Sequence, residues 1–357
     1  MKSADWIWTP RPPTPAESAR GGWALQRRGV HHGFVHRAGR GAAPAPSPRD
    51  VARLWPLGEP IRLPRILAPG LRATTATIRR TRAMFERLRR NSEFADEVWR
   101  RVGRRREIVP AGVSVDLGDP REIEKVHADQ RVGSRVERDL WAKLSWVSVD
   151  ERDSSLRVRF SFGSERLEDW KRDRRRAEAA DRFAEAVFPE CQLLTRHRGL
   201  QRILDGTGRG RARLSERIVY SNAPGGGAAF HHDAETRQRG VVFAQLAGRT
   251  AWLALPKREL AEIVAGLARG SLVPVCGTPG KAMRALDRGG PPALDRLLNR
   301  SRRLTRVLVE RSRFVVLGPG DVLLLPSPAA DAVAWHSVFG LGGSPSLAHS
   351  YGIFAAG

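Results

Sequence analysis

Three side chains in the last third of the sequence have the types and spacing to hold a divalent metal. His231 and Asp233 stand in the run GGGAAFHHDAE, and His336 in AWHSVF. On an extended strand, side chains two residues apart point the same way. His231 and Asp233 then aim at a common point, while His232 faces away as a supporting or surface residue. Two imidazoles and a carboxylate on one face of a metal, with the other positions open, suit an Fe(II) that activates dioxygen. Each residue also has a structural reading: a hydrogen-bonded His–Asp pair in a Gly-rich turn, and a satisfied core histidine at 336. The order of arrival, with His336 behind GPGDVLLLPSP, favours the metal.

The elements that must position these groups can be read from hydrophobic period. From about residue 211 onward short apolar strands dominate, in RLSERIVYSN, GVVFAQLAG, TAWLALP, RFVVLG, DVLLLPS, AWHSVFG and SLAHSYGIF. Many short strands with Gly and Pro turns point to a barrel or sandwich. Residues 257–311 interrupt them with helical patterns, an insertion placed to cap or restrict an active site. Upstream, LSWVSVD, the turn ERDSS and LRVRFSFG read as a hairpin, with Leu156, Val158, Phe160 and Phe162 alternating with polar neighbours. Between about 72 and 106 the period is helical. Ile78, Thr81, Phe85 and Leu88 share one face, and Arg79, Arg80, Arg82, Arg87, Arg89 and Arg90 populate the others. A second helix covers Asn91 to Val102, with Phe94, Val98 and Trp99 as its apolar stripe. A charged helix runs from roughly Glu165 to Val187. Residues 1–50, rich in Pro and Gly and carrying His31, His32 and His36, show neither period and read as a flexible arm. The expected organisation is an arm at 1–50, an Arg-rich helical region with a hairpin at 51–210, and a β core over 211–357. The class is α+β with a mainly β core.

Over residues 211–357 the sequence resembles the JmjC and cupin-like 2-oxoglutarate oxygenases. His231 and Asp233 match the HxD pair that opens the family's metal site. Gln245, Gly248, Trp252, Leu255 and Pro256 match its next strand pair, and Pro319, Gly320, Asp321, Leu323 and Pro326 match the run leading to the distal His336. The resemblance implies a double-stranded β-helix of the jelly-roll type, with His231, Asp233 and His336 as catalytic metal ligands. It also implies Fe(II), 2-oxoglutarate as co-substrate, and hydroxylation or demethylation of a protein or ribonucleoprotein. Two positions depart from the pattern. Ala228 stands where the family commonly has Thr or Ser, and Thr250 where it commonly has the Lys that pairs with the distal carboxylate. A dicarboxylate needs a fixed cation or several strong donors to offset its desolvation. On a regular strand Arg249 faces outward and Lys257 lies past the end, leaving Tyr220, Asn222, Thr250 and Ser350 as the cofactor-binding donors. The departures keep two other readings open: a degenerate cupin-fold protein that binds nucleic acid without turnover, and a metal-dependent cupin enzyme that does not use 2-oxoglutarate.

Other motifs read as structural. Gly225–Gly227 is not followed by GK[ST] or by a helix, so it is a turn rather than a phosphate loop. Trp252 reads as core packing, His349 as a structural residue on the last strand, and Asp321 as closing the turn before its strand. The 357 residues carry a net charge of +24, almost all of the basic residues being Arg. Such a field attracts phosphates and acidic partners, which makes the Arg-rich helices candidates for nucleic-acid contact. A solvated face in an Arg-biased composition gives the same signal. No apolar run approaches the roughly 18–20 residues that span a bilayer, and MKSADWIWTPRPPTP lacks the apolar core of a secretory signal. Cys191 and Cys276 make neither a disulfide framework nor a CxxC pair. These features point to a cytoplasmic protein without a membrane partner.

Overall fold

In the computed structural model, residues 5–39, 44–164, 173–208, 210–268 and 276–355 are described. The chain opens with β1 (Trp6–Thr9), α1 (Pro15–Ala19), β2 (Trp23–Arg27), β3 (Val30–Arg37), α2 (Pro48–Leu54) and β4 (Ile61–Leu63). Helices α3 (Ala68–Leu88) and α4 (Phe94–Val102) lead to β5 (Ile108–Ser114), β6 (Glu122–Val132), β7 (Arg135–Trp146) and β8 (Leu156–Phe162). Next come α5 (Arg174–Val187), α6 (Gln192–Thr195), α7 (Arg198–Asp205), β9 (Ala212–Ser221), β10 (Gly227–His231), β11 (Gly240–Ala247) and β12 (Arg249–Pro256). Four helices, α8 (Lys257–Ala268), α9 (Pro279–Asp287), α10 (Pro292–Arg300) and α11 (Arg302–Glu310), precede β13 (Phe314–Leu317). The chain ends with β14 (Val322–Pro326), β15 (Ala334–Leu341) and β16 (Leu347–Ala355).

The eight strands from β9 onward form two antiparallel layers, β14-β11-β16-β9 and β10-β15-β12-β13. Except between β12 and β13, each strand hands over to the opposite layer, which is jelly-roll order. Side chains of both layers meet between them: Val241, Phe243 and Leu323 from one, Trp252, Leu317 and Val338 from the other. The first layer is extended by β8, β7, β6 and β5 on one edge and by β4 on the other, giving a nine-stranded sheet. Because β8 pairs with β9, this sheet runs through the boundary expected near residue 211. The expected hairpin is its β7–β8 pair.

Two further cores flank the sandwich. Behind the large sheet, Val126, Leu140, Val158 and Phe160 pack on Phe85, Phe94, Phe183 and Phe188 of the helical side. The stripe Ile78, Thr81, Phe85 and Leu88 is buried, as its period requires. The charged helix is described from Arg174; residues 165–172 lie outside the described residues. Behind the small sheet, Ala251, Leu253, Leu255 and Phe339 pack on α8, α10 and α11, and on Trp6, Leu25 and Val35. The insertion therefore backs the small sheet, and none of its described residues lines the cleft that holds His231 and Asp233.

Residues 5–39 differ from the loose arm expected over 1–50. They contain a three-stranded sheet, β1-β3-β2, whose Leu25 and Val35 are fully buried. Strands β1 and β2 are only four and five residues long, and β3 mixes His and Gly with Val and Phe, so no clean period shows. Tertiary burial holds them instead, as in the edge-to-face contact of Trp6 with Phe314 at 5.4 Å. His32 and His36 are buried in this packing rather than displayed for metal.

Asp321 fixes the turn before β14. Its buried carboxylate accepts from Arg62 Nη2 (2.8 Å), Arg65 N (2.8 Å) and Gly318 N (2.9 Å), tying the β4 edge to the core. Removing it leaves donors unpaired in the interior, so Asp321→Ala should cost about 3 kcal/mol by denaturant unfolding, and Asp321→Asn less.

His349 belongs to a buried cluster far from solvent. Its Nδ1 lies 3.4 Å from Cys191 Sγ and its Nε2 3.6 Å from Glu190 Oε1, which accepts from Thr81 Oγ1 at 2.6 Å. Burial opposes a charge on the ring, but the Cys191 sulfur and the Glu190 carboxylate outweigh it and push the pKa up to about 9. A raised value stabilises the fold fully below the unfolded pKa of 6.5 and loses that contribution as pH rises through 9. Urea titrations across this window should show wild type losing up to about 3 kcal/mol more than His349→Phe.

Candidate metal centre

The local sequence explains how the triad is assembled. Ahead of β10, the Asp153 carboxylate accepts from Gly227 N at 2.9 Å, and a Cβ on Gly226 would lie 2.0 Å from Asp153 Oδ1. The glycine run is thus a turn packed on a carboxylate, with no room for side chains. Strand β10 then pairs with β15, placing Ala228 opposite Val338 and His231 opposite His336. Three steps on β10 match two on β15, so the strand carries a bulge that re-aims His231 toward the same cleft as Ala228. The strand ends at His231, and Asp233 reaches the site from the following loop rather than by strand alternation. His232 turns away, its ring 5.3 Å from that of Trp335.

One ligand atom each from His231, Asp233 and His336 lie within 4.8 Å of one another. His231 Nε2 is 3.2 Å from Asp233 Oδ1, and His336 Nε2 is 3.4 Å from Asp233 Oδ2. His231 Nδ1 donates to the Ala229 carbonyl at 2.7 Å, so the lone pair of a neutral ring sits on Nε2, facing the carboxylate. An imidazole lone pair turned on a carboxylate repels it unless a proton or a cation lies between. Burial opposes protonation of His231, but Asp233 raises its pKa overall. Burial and the neighbouring His231 push His336 down to about 3, so it presents a free nitrogen. Burial alone would raise the Asp233 pKa, yet the two histidines hold it well below the usual carboxylate range. The donor set therefore fits a divalent cation, with two nitrogens and an ionised oxygen converging. His231 and Asp233 remain 39% and 40% exposed, so solvent or substrate can reach them.

The four donors expected at a 2-oxoglutarate do not converge as a set. Tyr220 lines the cleft, where burial together with the Asp233 charge pushes its pKa up to about 12, whereas Ser350 does not line it. Thr250 is fully engaged: its hydroxyl donates to Gln245 Oε1 at 2.8 Å and accepts from Trp252 Nε1 at 3.0 Å. Trp252 fills the sandwich interior, 4.5 Å from Phe243 and 5.3 Å from His336 by ring centroids. Asn222 is buried, with neither side-chain polar atom hydrogen-bonded among the described residues.

A cleft of about 470 Å³ opens beside the triad, lined by Arg28, Arg121, Arg157, Arg159, Tyr220, His231, Asp233 and others. The arginines escape a sequence reading. In LRVRFSFG the polar partners of an alternating strand look solvent-facing, whereas here Arg157 and Arg159 face the cleft and Val158 and Phe160 the helical core. Several arginines of α3 and α4, by contrast, have intramolecular roles. Arg87 and Arg100 pair with buried Glu97, Arg101 donates to Thr81, and Arg89 donates to Ser221. Arg79, Arg80, Arg90 and Arg104–Arg106 stay exposed.

No protein-family model and no curated protein matches the sequence. Among solved structures the chain is similar to YcfD, a ribosomal oxygenase from Escherichia coli, at 13% identity and a TM-score of 0.25. That alignment covers 74% of this chain and 44% of the other, less than half its length. So loose a superposition carries no argument about activity.

The ligand strand is braced from behind. Asn299 on α10 accepts from Phe230 N at 2.8 Å and donates to Asp295 at 2.8 Å. Asn299→Ala frees the residue before His231, and metal affinity measured by titration should fall about tenfold, while the protein stays folded.

Proposed function

We propose that this protein is a non-haem Fe(II)-dependent oxygenase of the JmjC/cupin kind, with 2-oxoglutarate as co-substrate and a protein or ribonucleoprotein as substrate. The observation that carries the reading is the convergence of His231, Asp233 and His336 at the mouth of a jelly-roll sandwich, two nitrogens and one ionised oxygen on a single side. In this reading His231, Asp233 and His336 hold the iron, which supplies dioxygen activation when bound. The chain's own residues do the rest. Ala229 fixes the His231 ring through Nδ1, and Trp252 excludes water behind His336. Tyr220 offers its hydroxyl on the cleft wall shared with Asp233. The exposure of His231 and Asp233 supports a substrate that approaches from outside, such as a side chain of another macromolecule.

A metal-dependent oxygenase that does without 2-oxoglutarate is favoured by one observation: Thr250, at the position of the family's lysine, has its hydroxyl taken up by Gln245 and Trp252.

Anaerobic Fe(II) titration followed by 2-oxoglutarate separates these readings. Wild type should bind one Fe(II) and develop the weak visible charge-transfer band of the chelate. His231→Ala and His336→Ala should each lower iron affinity by at least about a hundredfold, since each removes one of three ligands. Iron binding without the band would select the second reading, and absence of iron binding would end both.

A further inference from the structure

We propose that the cleft beside the triad anchors its ligand by an oxyanion, a carboxylate or phosphate held between Arg28 and Arg157. The inference deepens the oxygenase reading and rests on it only in taking that ligand to be the substrate.

Four arginines line the cleft, and two of them are neutralised locally. Arg121 pairs with Asp119 at 3.2 Å, and Arg159 with Glu216. Arg157 and Arg28 make no ion pair among the described residues. Arg157 keeps one polar contact there, from Nε to Ser145 Oγ at 2.9 Å. It stands opposite Tyr220 across the β8–β9 pair, so its guanidinium shares the wall that leads to the metal ligands. A half-buried guanidinium without a counter-charge is costly, and an oxyanion with two acceptor atoms matches its fork.

Arg28 provides an independent observation. Arg27 pairs with Val30, so β2 and β3 are joined by two residues, Arg28 and Gly29, with φ of +50° and +70°. Positive φ at both positions makes a type I′ turn, whose first place goes to Asn, Asp or Gly because a longer side chain is strained there. The turn itself gains nothing from arginine. The side chain instead lines the metal cleft, its Nε buried without a partner. Strain kept at such a place points to a binding role.

The anchor lies outside the sandwich interior. Asn222, Thr250 and Ser350 do not line this cleft, whereas His231 and Asp233 do. A ligand gripped by Arg28 and Arg157 therefore sits at the mouth, within the space that contains the triad.

The test is calorimetric titration of the metal-free, full-length protein at low ionic strength, with succinate in one arm and inorganic phosphate in the other. Wild type should bind one equivalent of one of them, and which one identifies the oxyanion. Arg157→Gln and Arg28→Gly should each weaken that binding by about tenfold or more. Arg28→Gly should also raise Tm, because glycine relieves the turn, so its loss of binding cannot come from misfolding. Arg79→Gln, on an exposed face of α3, should bind like wild type. Binding of neither anion, survival of binding in both cleft variants, or equal weakening by Arg79→Gln would overturn the proposal. With no metal present, each of these results is separate from whether the triad holds iron.

Discussion

The pairing of β10 with β15 is the constraint on which the site depends. It sets His231 directly opposite His336 in register, and a single extra residue on β10 turns the first histidine toward the second. Both strands belong to the small sheet, and the groups around them keep that sheet in place. Asn299 holds the backbone before His231, Ser337 Oγ donates to the Ala228 carbonyl, and Trp252 packs beside His336. Shifting this pair by one residue would send every side chain to the opposite face. The helical insertion and the N-terminal sheet make physical sense in these terms, as the layers that cover the outer face of the small sheet.

Much of the sandwich is legible in the sequence because its strands are marked locally. Runs such as GVVFA and VLLLP are apolar throughout, as expected of strands buried on both faces. Helices α3 and α4 are equally plain, since Phe85, Leu88, Phe94 and Val98 keep a helical period among arginines. The three metal-ligand candidates can be named for a related reason: HxD and the run before His336 are short, and their meaning does not depend on distant residues.

What escapes the sequence is whatever tertiary contact decides. The bulge in β10 leaves no compositional mark, so strand alternation alone gives the wrong account of how Asp233 arrives. Strand β5 carries Val109 and Val113 on exposed surface and shows no apolar face to announce it, and β6 buries Val126 and Ala128 among Glu122 and Gln130. Strands β1 to β3 become strands only once Leu25 and Val35 have a sheet and helices to pack against. Thr250 matches the family's strand position, yet nothing in its neighbours' types says that Gln245 and Trp252 would occupy its hydroxyl. The polar side of β8 can be recognised as polar but not as the wall of a cleft.

The contacts of Arg27 carry a further meaning for how the molecule comes into being. Its guanidinium donates to Ser337 Oγ, 310 positions away, and to the Leu298 carbonyl, and it lies over the Phe230 ring. The last strand, β16, likewise inserts between β9 and β11 in the large sheet. Neither contact can form before segments some 300 positions later have been made, so the β2–β3 hairpin must wait for them. Contacts of such separation are slow to form and leave apolar strands uncovered in the meantime. The cluster of His231, Asp233 and His336 is accordingly a late product of folding, and its completion reports that segments far apart in the sequence have met.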